Sequence, residues 1–517
     1  MTSLKTSSVV AAFAVLALGA MACDNSGLTE VNQNPNAATS APAPALFTNA
    51  TRQAVSRWFG AGYDMRGTEF VAQHHAEVQY PDEDAYKRLQ GGFTTGTFDG
   101  AYQVEQEDFQ KVVDAGVAAS NPLVYGPALV MRTWGFGYLT DTWGDIPYFQ
   151  ALKGDSVGST FSPAYDKQQA IYADFFSVLN KASVDLAGAP ASGLASLGSA
   201  DPIYAGSRLK WQKFANSLKA RFAMRIVNVD AATAKTQFLA AMAAPGGLFA
   251  SNADNAIFNW PGDGVYDNPW AANLKTRDDN RLSITLVNIM AASNDPRLPV
   301  FGMPAESDGQ FRGLKNALSQ GDAAGFLTTT SRPGAIFFPG ATAYGTFGGS
   351  GSKYPSYLMT YAEVSFLLAE AAERGWIAGS AATFYNQGIQ ASMAQWGVTN
   401  AATIAAYLAD PAVAYTPGTA GLTKIAIQKW IALYTDGGQA WAEWRRTCQP
   451  STIVPGPTAI TNQVIRRFQY STTENAVNEE GQASAITNQG PDEFLTRMYW
   501  DKNPTAAPTY VAGCGTR

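Results

Sequence analysis

Three groupings in this 517-residue chain contain residue types that bond-breaking chemistry uses. The chain has only two histidines, His74 and His75. Neighbours on a helix point about 100° apart, so the pair cannot readily share one metal. His74 and Glu77 would share a face, but no third ligand accompanies them, and the pair reads as polar histidines on a helix face. Gly154-Asp155-Ser156-Val157-Gly158 fits the G-x-S-x-G pattern. That pattern marks a nucleophile only between a strand and a helix, and here it lies in a polar loop before Pro163. Both histidines also precede it, the reverse of the hydrolase order. Glycoside cleavage needs only two carboxyl groups at the right separation. Asp263 and Asp267 flank aromatic residues, yet nothing in their spacing singles them out. There is no phosphate loop and no zinc-protease motif, and a structural Ca²⁺ in the Asp-rich loop lacks a ligand pattern. The expectation is no catalytic residue, no metal and no cofactor, with an exported helical glycoside hydrolase as the rival reading.

The elements that must position any site read as mainly all-α. In residues 358–374, Tyr361, Val364, Leu368 and Ala371 recur at three- to four-residue steps and Gly375 stops the run. A second helix over 381–396 buries Phe384, Ile389, Met393 and Trp396. Ala369, Ala371 and Ala372 permit close approach, giving a helical hairpin of tetratricopeptide size without the full repeat consensus. Further helices are expected at 122–141, 163–187, 209–229 and 424–441. Gly/Pro/Asn-rich loops fill 188–207, 255–279 and 332–355, and short strands are expected near 328–338. Loops of that length in a compact domain usually carry function. No composition shift divides residues 45–517, which read as one helical body.

Composition limits the partners. Charged residues are 15% of the chain and the net charge is -6, and no basic run could track a phosphate backbone, so nucleic acid is not an expected partner. Lys5 and an apolar run over 9–22, closed by Ala20-Met21-Ala22-Cys23, read as a secretory signal over residues 1–22. Cys23 is then the acceptor for bacterial lipoprotein processing, although Ala20 stands where such sites usually carry Leu; an ordinary cleaved signal is the alternative. Residues 23–44 are rich in Asn, Ser, Thr and Pro, a spacer that buries little and stays extended. No later stretch of about 18 apolar residues offers a membrane span. Cys448 and Cys514 could pair in an oxidising compartment and pin the C-terminal tail.

Longer motifs run through the chain in order. Leu139-Thr140-Asp141-Thr142-Trp143-Gly144-Asp145-Ile146-Pro147-Tyr148 leads to Asp201-Pro202-Ile203-Tyr204-Ala205-Gly206. Lys210-Trp211 and Phe214-Ala215-Asn216-Ser217-Leu218-Lys219-Ala220-Arg221 follow, then Asn294-Asp295-Pro296-Arg297, Glu363 with Ala369-Glu370-Ala371, and Gln428-Lys429-Trp430. Trp441-Ala442-Glu443-Trp444-Arg445-Arg446-Thr447 and Arg466-Arg467-Phe468-Gln469-Tyr470 complete the set. Together they closely resemble the SusD/RagB family of nutrient-binding outer-membrane lipoproteins, in its SusD-like branch. The resemblance implies tetratricopeptide-like helical pairs packed against a loop-rich face. It implies a lipid-anchored protein on the outer membrane, facing the cell surface, that sits as a lid on a SusC-like TonB-dependent barrel. Such a protein captures glycans or other oligomers and does not cleave them. A structural or adhesive surface lipoprotein is a further alternative. The motif residues themselves read as scaffold: Trp211, Phe214 and Leu218 face inward, and Trp441 and Trp444 lie beside Arg445 and Arg446, which can stack on them and pair with Glu443.

Sugars present C–H faces, so a glycan binder needs exposed flat rings with amide and carboxylate partners, best shown on loops. The loop over 259–270 supplies Trp260, Tyr266 and Trp270 beside Asp263 and Asn268, unless the two tryptophans plug the loop onto the body. Trp58 and Tyr63, beside Gly60 and Gly62, form a second cluster, unless Trp58 ends a core helix. Tyr344 and Phe347 form a third.

Overall fold

Capping side chains open several of the helices, Asn121, Asp230, Thr360, Ser380 and Asp436 among them. In this computed structural model, which describes residues 41–154, 160–190, 192–502, 510–511 and 514–516, the compact body spans Ala43–Arg517. Its first helix, α1 (Ala43–Trp58), takes in Ala43 and Pro44, the last two residues of the expected spacer. Then follow α2 (Gly91–Gly100), a π-helical turn (Ala101–Gln106) and α3 (Glu107–Ala118). Asn121 caps α4 (Pro122–Trp143), accepting from Leu123 N–H at 3.0 Å with Pro122 at the first helical position. Helix α4 is apolar on all sides and is accordingly buried along most of its length.

Further long helices are α5 (Gln168–Gly188), α6 (Arg208–Arg225), α7 (Ala231–Ala243), α8 (Tyr361–Glu373), α9 (Ala381–Gln395), α10 (Thr419–Ala432) and α11 (Gly437–Thr447). They pack as successive pairs, α3 on α4, α5 on α6 and α8 on α9, with α10 packed on α8 and α11 on α10. Small residues set the spacing. A Cβ on Gly388 would lie 2.8 Å from the Phe366 ring, so α8 and α9 meet closely only because none is there. The expected helix over 424–441 is two helices. Asp436 caps α11, accepting from Gln439 N–H at 3.1 Å, and a Cβ on Gly437 would meet the Glu69 nitrogen at 2.4 Å. The chain therefore turns there against the backbone of a neighbouring segment.

Strands among the described residues come mostly in two-residue to four-residue antiparallel pairs. β1 (His75–Glu77) pairs with β5 (Asn280–Leu282), β2 (Ile146–Pro147) with β3 (Tyr165–Asp166), and β4 (Ala256–Phe258) with β8 (Ser356–Met359). β6 (Ala341–Thr342) and β7 (Gly345–Thr346) form a hairpin. In place of the strands expected near 328–338 the chain makes only an isolated antiparallel bridge between Pro333 and Gly302, and then a 3₁₀ turn at Ala335–Phe337 that ends the extended run.

The family-like motifs turn out to be interior clamps. Arg221 of α6 donates to Glu363 of α8 at 2.7 Å, Lys429 of α10 to Glu443 of α11 at 3.0 Å, and Arg446 of α11 to Glu370 of α8 at 2.8 Å. All six side chains are buried. Burial alone would raise the three carboxyl groups, but the cations facing them prevail and hold all three below the usual carboxylate range. A disulfide joins Cys448, just after α11, to Cys514, with Cα atoms 5.8 Å apart.

Candidate functional site

The rings nominated from the sequence fall on both sides of the surface. Trp260 is buried, with its indole N–H donating to Ser356 Oγ at 3.0 Å. Trp270 is buried too, and its N–H reaches Asp64 Oδ2 at 3.2 Å. Asn268 is spent as a cap, accepting from Trp270 N–H at 2.8 Å and donating to the Tyr354 carbonyl at 2.8 Å. Trp58 stacks on Tyr138 inside the body, and Tyr63 hydrogen-bonds Thr142 at 2.8 Å. These five side chains are core: the polar tips of Trp260, Trp270, Asn268 and Tyr63 find interior partners that let the rest bury, and Trp58 is held by ring stacking alone, its indole N–H buried without a partner among the described residues. Two nominated residues stay outside. Tyr266 is 42% exposed beneath the Arg52 guanidinium, and the exposed Asp263 carboxylate accepts from Val265 and Tyr266 N–H at 2.9 and 2.8 Å. Those two backbone donors lower the Asp263 pKa. The loop shows one ring where three were expected.

The histidines are not on a solvent face. His75 lies in β1, and both rings are fully buried. His74 spans Glu69 and the Trp430 carbonyl at 2.9 and 3.0 Å, and His75 meets Tyr434 Oη at 2.8 Å. Burial pushes both down to about 3, so both are neutral at physiological pH. Among the described residues no group of three or more His, Cys, Asp or Glu could hold a metal ion. Ser156 lies outside the described residues, as does Cys23.

An aromatic and guanidinium cluster forms elsewhere, where the β1–β5 pair meets the β6–β7 hairpin, with Tyr80 exposed at its surface and Arg332 buried behind the partly exposed Tyr344 and Phe347. Glu77, at the end of β1, accepts from the N–H groups of Gln79 and Tyr80 at 2.8 and 3.0 Å. That turn leaves the Tyr80 ring 50% exposed. The Arg277 guanidinium covers one face of it, 4.5 Å from the centroid, and is held from behind by Asp279 and Glu83. Tyr344, from the hairpin, donates to the carbonyls of Leu274 and Arg277 at 2.6 and 3.0 Å, fixing the hairpin beside them. Arg332 lies 5.9 Å from the Tyr344 ring and 5.6 Å from Phe347, and is anchored by Asp278 at 2.6 and 2.7 Å. Beneath this face, burial and the nearby Asp279 push the Glu77 carboxyl up to about 8.

This arrangement can hold a ligand without reacting with it. Tyr80 offers an open ring face and the partly exposed Arg277 guanidinium can donate to hydroxyl or carbonyl oxygens beside it, whereas Arg332 is buried and tied to Asp278 and Glu306, so it holds the hairpin rings in place. Tyr344 and Phe347 were visible in the sequence as rings in a Gly-rich loop. Tyr80 was missed; its one signal is its place directly before the turn-forming Pro81-Asp82.

The comparisons with known proteins follow from the whole chain rather than from this face. A SusD-like family model described as "Starch-binding associating with outer membrane" matches residues 35–471. Among solved structures, a chitin-binding SusD homologue from Flavobacterium johnsoniae is 26% identical, with a TM-score of 0.76 over 89% of this chain and 98% of that one. A structure named as a chitin-binding protein is 25% identical, with a TM-score of 0.74 over 89% of this chain and 100% of the other. A SusD homologue from Bacteroides uniformis, 24% identical with a TM-score of 0.75 over 89% of this chain and 99% of its own, shares the fold. No curated protein matches the sequence significantly.

Proposed function

This chain belongs to the SusD-like family, and from that premise we propose that it captures an oligosaccharide at the cell surface and passes it to a SusC-like TonB-dependent barrel. The family is associated with the outer membrane and with starch binding by its description. The observation that carries the ligand class is the match over 89% of the chain to two structures named for chitin binding. The Tyr80–Arg277 face supplies what such a ligand needs: an open ring for its C–H surface and fixed donors for its oxygens. The partly exposed Tyr344 and Phe347, backed by the buried Arg332, extend that face, and Tyr266 with Asp263 offers a second, smaller contact.

In this reading Cys23 carries the lipid and residues 24–42 hold the body off the headgroups. More than one acyl chain makes such an anchor stable. Among the described residues no helix is long and apolar enough to cross a membrane. Capture is by stacking and hydrogen bonding, and holding the glycan above the pore raises its local concentration there. No bond is broken.

Calorimetry of the purified protein against chitin oligosaccharides, malto-oligosaccharides and short peptides tests the reading. The expected result is saturable binding of at least one glycan series, recovered intact afterwards, with co-purification of a barrel from outer membranes. Binding of peptides alone, or turnover of a glycan, would replace it.

A further inference from the structure

A cavity of about 540 Å³ opens where the helix Ile284–Ala292, the loop over 305–313 and the turn over 326–330 meet. It shares no residue with the Tyr80 face. Its size lies within the range of small-molecule sites, about 300–1,000 Å³. Backbone hydrogen bonds fix its walls in advance. Ile284 N–H donates to the Leu314 carbonyl at 2.8 Å, Ser307 N–H to the Thr328 carbonyl at 3.1 Å, and Ser331 N–H to the Arg312 carbonyl at 2.8 Å. A Cβ on Gly313 would lie 2.3 Å from the Ile284 Cα, so the loop closes on the start of the helix only because none is there.

The lining combines fixed apolar groups with unspent polar ones. Ile284, Val287 and Asn288 fall on one side of the helix, at the three- and four-residue steps that share a face, and Phe311 and Phe326 come from the other two segments. Val287 is buried and Phe311 is packed on the core, so both are fixed surface. Ile284 and Phe326 are 39% and 41% exposed. Open apolar groups at a cavity are a cost to the free protein that a ligand removes. The charges in the lining cancel: Asp308 and Arg312 are its two charged side chains, and Arg312 Nε donates to Asp308 Oδ2 at 2.7 Å. Glu306, in the same loop, pairs with Arg332 instead. Arg312 Nη1 and the exposed Asn288 carboxamide have no hydrogen-bond partner among the described residues.

The chemistry of a matching ligand follows. An anion would compete with Asp308 for Arg312, and a cation with Arg312 for Asp308. A neutral ligand leaves the pair intact and takes the remaining Nη1 donor. A sugar bearing only hydroxyls would set oxygens against Ile284 and Val287, where they find no partner. An acetamido substituent fits both halves of the lining. Its methyl buries on the aliphatic side chains, its carbonyl accepts from Arg312, and its N–H donates to the Asn288 carbonyl oxygen. We propose that this cavity binds the acetamido group of an N-acetylated sugar unit, with the methyl on Ile284, Val287 and Phe326 and the amide between Asn288 and Arg312. The proposal rests on the reading of this chain as a glycan binder and names the class of sugar it selects.

Calorimetry on the full chain with N,N′-diacetylchitobiose and cellobiose tests it, since the two share a linkage and differ only in carrying an acetamido group or a hydroxyl at the same carbon. The acetylated disaccharide binds at least about tenfold more tightly. Asn288→Ala and Phe326→Ala each weaken it about fivefold and leave cellobiose within about twofold. Asn288 is exposed and Ala is the better helix former, so Asn288→Ala keeps its fold. Equal affinity for the two disaccharides, binding of neither, or unchanged diacetylchitobiose affinity in both folded variants overturns the proposal. So does tighter binding of N-acetyl-L-alanine amide than of diacetylchitobiose, which assigns the cavity to a peptide. Tyr80→Ala keeps the preference for the acetylated disaccharide. Longer glycans that bind Tyr80→Ala as well as wild type remove the Tyr80 face and leave the cavity standing. Longer glycans weakened by Tyr80→Ala, with the two disaccharides bound alike, remove the cavity and leave the face.

Discussion

The guanidinium of Arg445 sits 3.6 Å from the Trp441 ring centroid inside the body, and that of Arg277 sits 4.5 Å from the Tyr80 centroid at its surface. The same two kinds of group meet in both places. Around Trp441 both faces are taken, by Arg445 and by Phe468 at 5.4 Å, and Arg445 also lies 4.7 Å from Trp500. Burial there pulls Arg445 down to about 9. Around Tyr80 one face is taken and the other is open. An aromatic–arginine pair is scaffold when its second face is filled and a platform when it is not, so exposure separates the two roles where residue type cannot.

The comparison breaks most visibly through stability. Trp441→Ala leaves a large cavity and is expected to cost about 3–5 kcal/mol in urea unfolding. Trp270→Ala is expected to cost a similar amount, because its ring packs against His75 and Phe337, not against a ligand. In both, the folded fraction keeps its glycan affinity; a selective loss of affinity at unchanged stability would return Trp270 to the binding surface.

Glu77 links the two regions, since it is buried yet holds the Tyr80 turn. Its folded pKa, about 8, lies above its ordinary 4.5. The folded state therefore keeps a proton that the unfolded state loses, and this group's contribution is full below about pH 4.5 and declines as pH rises to about 8. Glu77→Gln, which retains the acceptor for Gln79 and Tyr80, is expected to flatten that decline by about 2 kcal/mol across the window, within the single-group limit of about 1.4 kcal/mol per pH unit. An unchanged slope in chemical denaturation from pH 5 to 8 would remove Glu77 as its source.

Tyr80→Ala inverts the tryptophan result. Glycan affinity falls about tenfold, roughly 1.4 kcal/mol, while stability stays within about 0.5 kcal/mol. The smallest effect is expected for Tyr266→Ala, whose ring already carries Arg52 on one side. It changes stability by less than about 0.5 kcal/mol and affinity by a few-fold at most.

The scaffold was legible and the surface was not, for a physical reason. Periodicity reports which side of a helix is apolar, so the α8–α9 hairpin and the inward set Trp211, Phe214 and Leu218 could be read directly. Motif strength also pointed inward: Glu363, Glu370 and Glu443 are fixed by partners on other helices. A loop has no such period. Trp260, Tyr266 and Trp270 look alike in sequence, and only the Ser356 and Asp64 acceptors that draw the two indoles inside tell them apart from Tyr266. His75 was misplaced because a three-residue strand buried on both faces has no alternation to show. Asp436-Gly437-Gly438 marks the break in the helix over 424–441, a local signal that the apolar run on either side conceals. Tyr80 depends on Arg277, about 200 residues away, for its stacked face.

The account rests on Tyr80 holding a glycan that the protein leaves intact. Calorimetric titration of chitin and malto-oligosaccharides into wild type and Tyr80→Ala, with the glycan analysed afterwards, tests this most directly. The expected result is saturable binding of one series, weakened about tenfold in the variant, with no shortened products. Equal affinity in the two proteins, or shortened products with either, would contradict it.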